Sequence, residues 1–459
     1  MNFTGITRKP AFWIFQVLVF LICSGLALHL YPQAFPVVDL QIKMDRTAAL
    51  KAAGELLKQN QWAPKEFKQA ARFELDEEAQ TFIELTGGGS AAFAKVIKEG
   101  LYYPYTWKVR NYSEGNMNET IVRFTPKGDL YAFGEKLSEN DPGAALKSPE
   151  AQTIAEEGAR KFGVKLSEYQ LVEKSQEIKP SRRIDHSFVY ERPNVKLGEG
   201  RYRLVLVVAG DHLVRLSHFI KIPDAFLRHY AEMRSSNDTI SVVSSAAIAI
   251  LYFFGGCILG LFFLAKNRWV LWKMPLICAV VVGAFQFLEQ LNHLPLIWMD
   301  YDTALSSAGF LARHLSSSVA MFVFEVIMLT VSFAAAESLS RRAFPHHPQF
   351  WKIWSVRNAS SYNILGRTLG GYLGLGFFFL YVVVIYLFGT RCLGWWSPSD
   401  TLFHPDVLAT YCPWFTSISN SLHAGFWEES LFRAVPLAAA ALLGNRFGSR
   451  KKWITLGFV

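Results

Sequence analysis

The chain contains several uninterrupted apolar runs, each close to the length that carries one helix across a lipid bilayer. A hydrocarbon core about 30 Å thick requires roughly 20 apolar residues per helical span. Such runs cover residues 10–30, 241–265, 274–298, 316–338, 370–389 and 413–443. We therefore predict a polytopic α-helical membrane protein with six full spans, and a seventh that begins in "KKWITLGFV" at residues 451–459.

The first run predicts an uncleaved membrane anchor at residues 10–31. It is longer than the apolar core of a signal peptide and lacks a clear small-residue cleavage site. We therefore divide the rest of the chain into a cytoplasmic N-terminus at 1–9, an extracytoplasmic domain at 32–239 and a multi-span membrane domain at 240–459.

The orientation of the spans is predicted from their basic loops, because Lys and Arg accumulate in short loops on the cytoplasmic side. These residues precede the first span and lie in alternate loops thereafter: Arg8 and Lys9; Lys266, Arg268 and Lys273; Arg341, Arg342, Lys352, Arg357 and Arg367; Arg446, Arg450, Lys451 and Lys452. A multi-pass protein of the cell membrane with its N-terminus in the cytoplasm places all four basic groups on the cytoplasmic side. The formal net charge of +9 is thus a topology signal, and we expect no nucleic-acid partner.

The region between the first two spans repeats one pattern of a helix followed by antiparallel strands. The first copy opens with "RTAALKAAGELLKQN" and the second with "SPEAQTIAEEGARKFG". This order predicts an α+β domain of two similar units, with helices covering the strands. The pattern resembles the PepSY-type modules found outside bacterial membranes. Single histidines at strand or surface positions and the absence of a nucleophile or phosphate motif favour binding or docking over catalysis.

Cysteines do not stabilise this outer domain, because residues 32–239 contain none. Cys392 and Cys412 flank a predicted outer loop between the fifth and sixth spans. In an oxidising compartment the two residues either form a disulfide or remain free thiols, and the spacing leaves both alternatives open.

Three charged residues interrupt the last full apolar run, "LHAGFWEESLFRAVPLAAAALL" at 422–443. Each ionisable side chain at mid-bilayer costs about 2.5–3.5 kcal/mol on insertion scales. Glu429 and Arg433 are four residues apart, which predicts an ion pair on one helix face. Glu428 is rotated by about 100° and remains available as a general base. Helix packing and chemistry are equally good explanations of the charges on spacing alone.

The hexapeptide "EESLFR" matches the E-E-x-x-x-R motif, and the chain here resembles the CPBP (Abi) family, which includes the CAAX prenyl endoproteases. The resemblance implies that Glu428 activates water, Glu429 assists, and Arg433 positions the carboxylates. It also implies a divalent metal such as zinc as a possible cofactor, with no metal ligands assigned. The family's later F-x-x-x-H and H-x-x-x-N motifs do not follow Arg433, so we expect either a longer parent chain or a degenerate member.

We expect the other polar residues within the spans to stabilise the helix bundle and not to take part in catalysis. Glu289 and His293 are four apart and predict a hydrogen-bonded pair rather than a metal site. Glu325, near the middle of the fourth span, is expected to meet an arginine or histidine of another span. His423 lies five residues before Glu428 and is expected to point away from it. Gly370 and Gly374 have the small-x-x-x-small spacing of closely packed membrane helices.

These observations predict an intramembrane endopeptidase that hydrolyses peptide or protein substrates associated with the lipid bilayer of the cell membrane. The alternative is a non-enzymatic immunity or scaffold protein, or a transporter-like bundle, with an outer binding domain.

Overall fold

The computed structural model describes residues 9–36, 38–345, 355–399 and 404–446, without the side chains of residues 196, 445 and 446. Within these ranges, five helices are long and apolar enough to cross a membrane, and one eight-stranded antiparallel sheet is present. The coarse prediction of a helical membrane protein with an added α+β part is therefore confirmed. Residues 1–8 and the predicted start of a seventh span lie outside the described residues.

The five candidate spans are Pro10–Ala34, Asp224–Lys266, Lys273–Asn292, Ser307–Ala343 and Tyr362–Cys392. Four of them extend several residues beyond the apolar runs at one or both ends, because a helix can continue past the hydrocarbon core into water. The predicted run 274–298 is too long, since the helix ends at Asn292 and Pro295 belongs to a separate short helix. Residues 413–446 are helical throughout, but this charged segment is not among the five.

We number the α-helices in chain order. They are α1 Pro10–Ala34, α2 Arg46–Asn60, α3 Glu77–Thr86, α4 Gly89–Lys98, α5 Ser148–Lys161, α6 Asp224–Ile248, α7 Leu259–Lys266, α8 Lys273–Asn292, α9 Leu294–Ile297, α10 Ser307–Ala343, α11 Val356–Ala359, α12 Tyr362–Cys392, α13 Pro413–Glu428 and α14 Val435–Arg446. Two π-helical segments, Ala249–Ile258 and Glu429–Ala434, join α6 to α7 and α13 to α14. Short 3-10 turns cover Leu166–Glu168, Trp298–Asp300 and Pro405–Ala409.

The sheet consists of two four-stranded meanders that meet side by side. Its strands are β1 Lys68–Leu75, β2 Tyr105–Tyr112, β3 Glu119–Phe124, β4 Leu130–Lys136, β5 Gln170–Ile178, β6 Ile184–Leu197, β7 Gly200–Ala209 and β8 His212–Lys221. Their spatial order is β1-β2-β3-β4-β8-β7-β6-β5. The seam between the halves is the β4–β8 pair, where Phe133 lies opposite Leu216 and Gly134 opposite Arg215.

Each meander is covered by its own alanine-rich helix. On α2, Ala49 and Ala53 are fully buried against the sheet, and on α5 the fully buried residues are Ala151, Ala155 and Ala159. The four-residue spacing places these small side chains on one helix face, which lets each helix approach the strands closely. Each half of the sheet thus has one covering helix and four antiparallel strands, and α3 and α4 follow β1 in the first half. The duplication of the domain stays a prediction.

The membrane helices pack in two groups. Helix α1 packs against α12 through Ala27, Ala34, Val383 and Leu387. The second group contains α7, α8, α10 and α14 with their π-helical segments, and its core includes Cys257 and Ala335.

The glycines that permit close packing differ from the predicted ones. A Cβ atom added at Gly370 or Gly374 would meet nothing within 4 Å, so these two glycines do not mediate a helix contact among the described residues. A Cβ at Gly376 would lie 2.7 Å from both Phe20 and Ser24 of α1. Gly376 is therefore the residue on α12 that allows α1 to approach.

Two loops of the membrane region contact the edge of the sheet. Strand β1 contacts the 3-10 turns Trp298–Asp300 and Pro405–Ala409. Farther along, the buried Glu84 carboxylate on α3 accepts hydrogen bonds from the Ser399 backbone N–H at 3.0 and 3.1 Å and from Trp396 Nε1 at 3.0 Å. Both loops thus lie at the same end of the bundle as the sheet, which agrees with the predicted alternation of the loops. The side of the membrane that the sheet occupies remains a prediction.

Candidate functional site

The motif residues lie where the last described helix changes its geometry. Helix α13 ends at Glu428, and residues Glu429–Ala434 form a π-helical turn before α14 begins. A π-helical turn contains i→i+5 hydrogen bonds, is rare, and occurs frequently at functional sites in proteins. The irregular turn therefore coincides with the charged motif.

The two adjacent glutamates have different partners. Arg433 Nη1 donates a hydrogen bond to Glu429 Oε2 at 2.6 Å, which confirms the predicted ion pair. Within the described part of the chain, Glu428 has no hydrogen bond and no ion pair, although Arg433 attracts it electrostatically. One carboxylate is thus held by the guanidinium and the other is left open.

All three charged side chains lie on the surface of the bundle. The Glu429 and Arg433 side chains are 61% and 64% exposed, and Glu428 is also exposed. Leu431 and Val435 of the same segment point instead into the helix core. The described residues therefore leave Glu428 open at the surface of the bundle and do not enclose it in a cavity.

A second polar cluster joins α8 to the start of α13. Glu289 is buried, and its Oε1 atom lies 2.7 Å from His293 Nε2, which confirms the predicted pair. The Thr416 hydroxyl on α13 donates to the same oxygen at 2.6 Å. Asn292 then bonds both backbone groups of Cys412, at 2.7 and 3.1 Å. The cluster satisfies a buried carboxylate and connects two helices.

A third cluster bridges α10 and α13 deeper in the bundle. Glu325 Oε1 lies 2.8 Å from His423 Nε2, and the Glu325 side chain is only 13% exposed. This contact confirms the prediction that Glu325 meets a histidine or arginine of another span. The His423 ring also stacks on Trp427, with ring centroids 6.2 Å apart. His423 thus has a defined partner, which local spacing alone did not identify.

The polar side chains of α13 follow one face of the helix. Thr416, Ser419 and His423 occupy positions i, i+3 and i+7, which lie on one side of an α-helix. Ser419 accepts from the Gln286 amide through its backbone oxygen at 3.0 Å and its hydroxyl at 3.1 Å. This periodicity was the available sequence signal for the polar interface.

A metal-ligand set is not assembled by the described residues, among which no group of three or more His, Cys, Asp or Glu side chains converges. A divalent metal at Glu428 would therefore need ligands from outside the described residues. The structure has Cys392 and Cys412 as exposed free thiols. Among the outer histidines, His186, His212 and His218 lie on strands and His229 is an exposed residue of α6, as the sequence indicated.

Comparisons with known proteins identified no matching family model, no matching curated protein and no matching solved structure.

Proposed function

We propose that the chain belongs to a membrane-embedded endopeptidase in which Glu428 activates the attacking water. The proposal rests on the different contacts of two adjacent carboxylates. Arg433 lies 2.6 Å from Glu429, whereas Glu428 has no ion pair among the described residues. The match of "EESLFR" to the E-E-x-x-x-R motif supports the same assignment. The substrates would be peptides or proteins associated with the membrane.

The reaction is the hydrolysis of a peptide bond, in which Glu428 acts first as a general base and then as a general acid. Glu428 takes a proton from water, and the hydroxide attacks the carbonyl carbon of the peptide bond. The tetrahedral intermediate collapses as the C–N bond breaks, and protonated Glu428 returns its proton to the leaving nitrogen. Arg433 fixes the orientation of Glu429 and adds positive charge beside both carboxylates.

The charges also require an environment other than acyl chains. Two carboxylates and a guanidinium facing lipid would cost several kcal/mol, only part of which the Glu429–Arg433 pair offsets. In the working protein this face therefore meets water or further protein groups, which would supply the oxyanion stabilisation that the described residues lack.

Hydrolysis can be tested by isotope incorporation in the reconstituted full-length protein. In H₂¹⁸O, we expect a new peptide C-terminus to carry ¹⁸O when a farnesylated C-a-a-X peptide or a mixture of unmodified peptides is supplied. The variant Glu428→Gln should lose this product by about 10²–10⁴-fold, the typical contribution of a general base. Glu232→Gln, which changes an exposed glutamate on α6, is the matched control. Equal labelling by the wild-type protein and Glu428→Gln would refute the role of Glu428.

A non-enzymatic, transporter-like bundle is the second candidate, favoured by the Glu325–His423 and Glu289–His293 pairs between and along the helices. Ionisable residues inside membrane segments commonly mark ion or proton pathways. This candidate predicts proton uptake into proteoliposomes under an imposed potential, reduced at least tenfold in Glu325→Gln and unchanged in Glu428→Gln. Proton uptake that Glu325→Gln leaves unchanged would exclude the pathway.

A further inference from the structure

A cavity of about 450 Å³ opens at the seam between the two halves of the sheet. It is bounded by the end of β1, the first turn of α3, the segment before β2, and strands β4 and β8. Ligand pockets typically occupy 300–1,000 Å³ and combine apolar walls with a few fixed polar groups. The size and position of this cavity fit a small organic ligand.

Aromatic rings line one side of the cavity and meet at steep angles. Tyr131 lies edge-on to Tyr102 and Tyr103, with ring centroids 6.3 and 5.2 Å apart and interplanar angles of 75° and 73°. Phe219 also lines the cavity. The Tyr131 ring also stacks on His218, with ring centroids 5.0 Å apart. The π-face of an aromatic ring attracts organic cations.

Carboxylates line the cavity beside these rings. Asp76 is held in place, because its Oδ2 accepts from the Tyr102 hydroxyl at 2.5 Å and its Oδ1 from the Ala79 N–H at 3.0 Å. Asp76, Glu77 and Glu78 form no salt bridge within the described ranges, and Glu77 and Glu78 are exposed.

Carboxylates outnumber basic groups in the lining, where Glu74, Asp76, Glu77 and Glu78 stand against Arg123. Arg123 pairs with Glu74, and Lys108 lies 3.6 Å from the same carboxylate. Burial lowers the pKa of His218 to about 4, so its ring is neutral at physiological pH. The cavity therefore combines aromatic walls with an excess of negative charge, although the whole chain is basic with a pI of about 9.2.

We propose that this seam cavity binds an organic cation through an alkylammonium group, which would contact the tyrosine faces and the carboxylates of Asp76, Glu77 and Glu78. Two sources share this chemistry, a free solute and a lysine side chain of a bound peptide. The site does not depend on the proposed hydrolysis.

The test uses full-length protein in lipid nanodiscs and isothermal titration calorimetry. Choline represents a free solute and N-acetyl-lysine methylamide a peptide side chain, so the tighter of the two identifies the source. The neutral isostere 3,3-dimethylbutan-1-ol should bind at least tenfold more weakly than choline, because it has the same shape without the charge.

Variants then locate the site. Glu77→Gln/Glu78→Gln should weaken binding of the cationic probe about tenfold, whereas Glu55→Gln/Glu66→Gln, which removes two exposed charges on and just after α2, should leave it unchanged. The proposal is overturned if neither cation binds, if the neutral isostere binds equally well, or if the two double variants behave alike.

Discussion

Replacing Arg110 by methionine is expected to release the loop 298–301 from the sheet, at a cost of about 3–5 kcal/mol. Arg110 is a residue of β2 whose side chain is only 12% exposed. Its Nη1 donates to the carbonyls of Trp298, Met299 and Tyr301 at 3.3, 3.1 and 2.7 Å, while Nε and Nη2 both lie 2.7 Å from Glu119. Removing the guanidinium leaves Glu119 partly buried without its closest partner, a loss that is strongly destabilising.

Hydrogen exchange of the full-length protein in micelles measures this effect. Amides of residues 298–303 should exchange about 10²–10³-fold faster in Arg110→Met, because each 1.4 kcal/mol corresponds to a factor of ten. Arg72→Met is the matched control, since Arg72 contacts Asp300 of the same loop at 3.0 Å but the Asp300 side chain is 73% exposed. An exposed pair is worth at most about 1 kcal/mol. Similar exchange in both variants would contradict the assigned role of Arg110.

Acidification is expected to destabilise the domain that contains the eight-stranded sheet by about 3 kcal/mol through His218 alone. Burial, and next the nearby Arg192, lower the pKa of His218 to about 4, against an ordinary value of 6.5. Between pH 6.5 and 4, His218 is therefore protonated in the unfolded chain but stays neutral in the folded domain. The contribution of His218 to the free energy of unfolding is unchanged above pH 6.5 and falls progressively as the pH decreases toward 4.

This pH dependence can be followed by urea unfolding, with hydrogen exchange of β4 and β8 as the readout for the sheet domain. His218→Gln should flatten the decline between pH 6.5 and 4, while it keeps an acceptor for the Tyr202 hydroxyl, now 2.9 Å from Nδ1. His212 on the same strand is the control, because the Glu135 carboxylate, 3.7 Å from its Nε2, raises its pKa and gives the opposite dependence. An unaltered decline in His218→Gln would show that other groups cause it.

Most helices and six of the eight strands were predictable from local periodicity, whereas the two edge strands were not. Strand β5, "QLVEKSQEI", is almost entirely exposed and therefore has no alternation between apolar and polar positions. Strand β1 pairs with β2 through residues far apart in the chain, such as Phe73 opposite Trp107. A strand defined by such distant pairing carries little local signal.

The same distinction holds for the polar residues of the membrane region. The Glu429–Arg433 and Glu289–His293 pairs follow from four-residue spacing, which is a property of a single helix. The Glu325–His423 contact depends on how α10 docks on α13, and no spacing within one helix specifies that docking. The exposure of Glu428 is likewise set by which neighbouring helices cover its face.

The attachment of the sheet by its β1 edge has a mechanical consequence. The loops of the bundle contact β1, whereas β5 at the opposite edge is exposed. Seven strand spacings of about 4.8 Å separate these edges, so a force applied at β5 acts through a lever arm of roughly 30 Å. A molecule pulling on the distal strand would thus load both the junction around Arg110 and the Trp298–Asp300 turn and the two-residue link from β8 to α6.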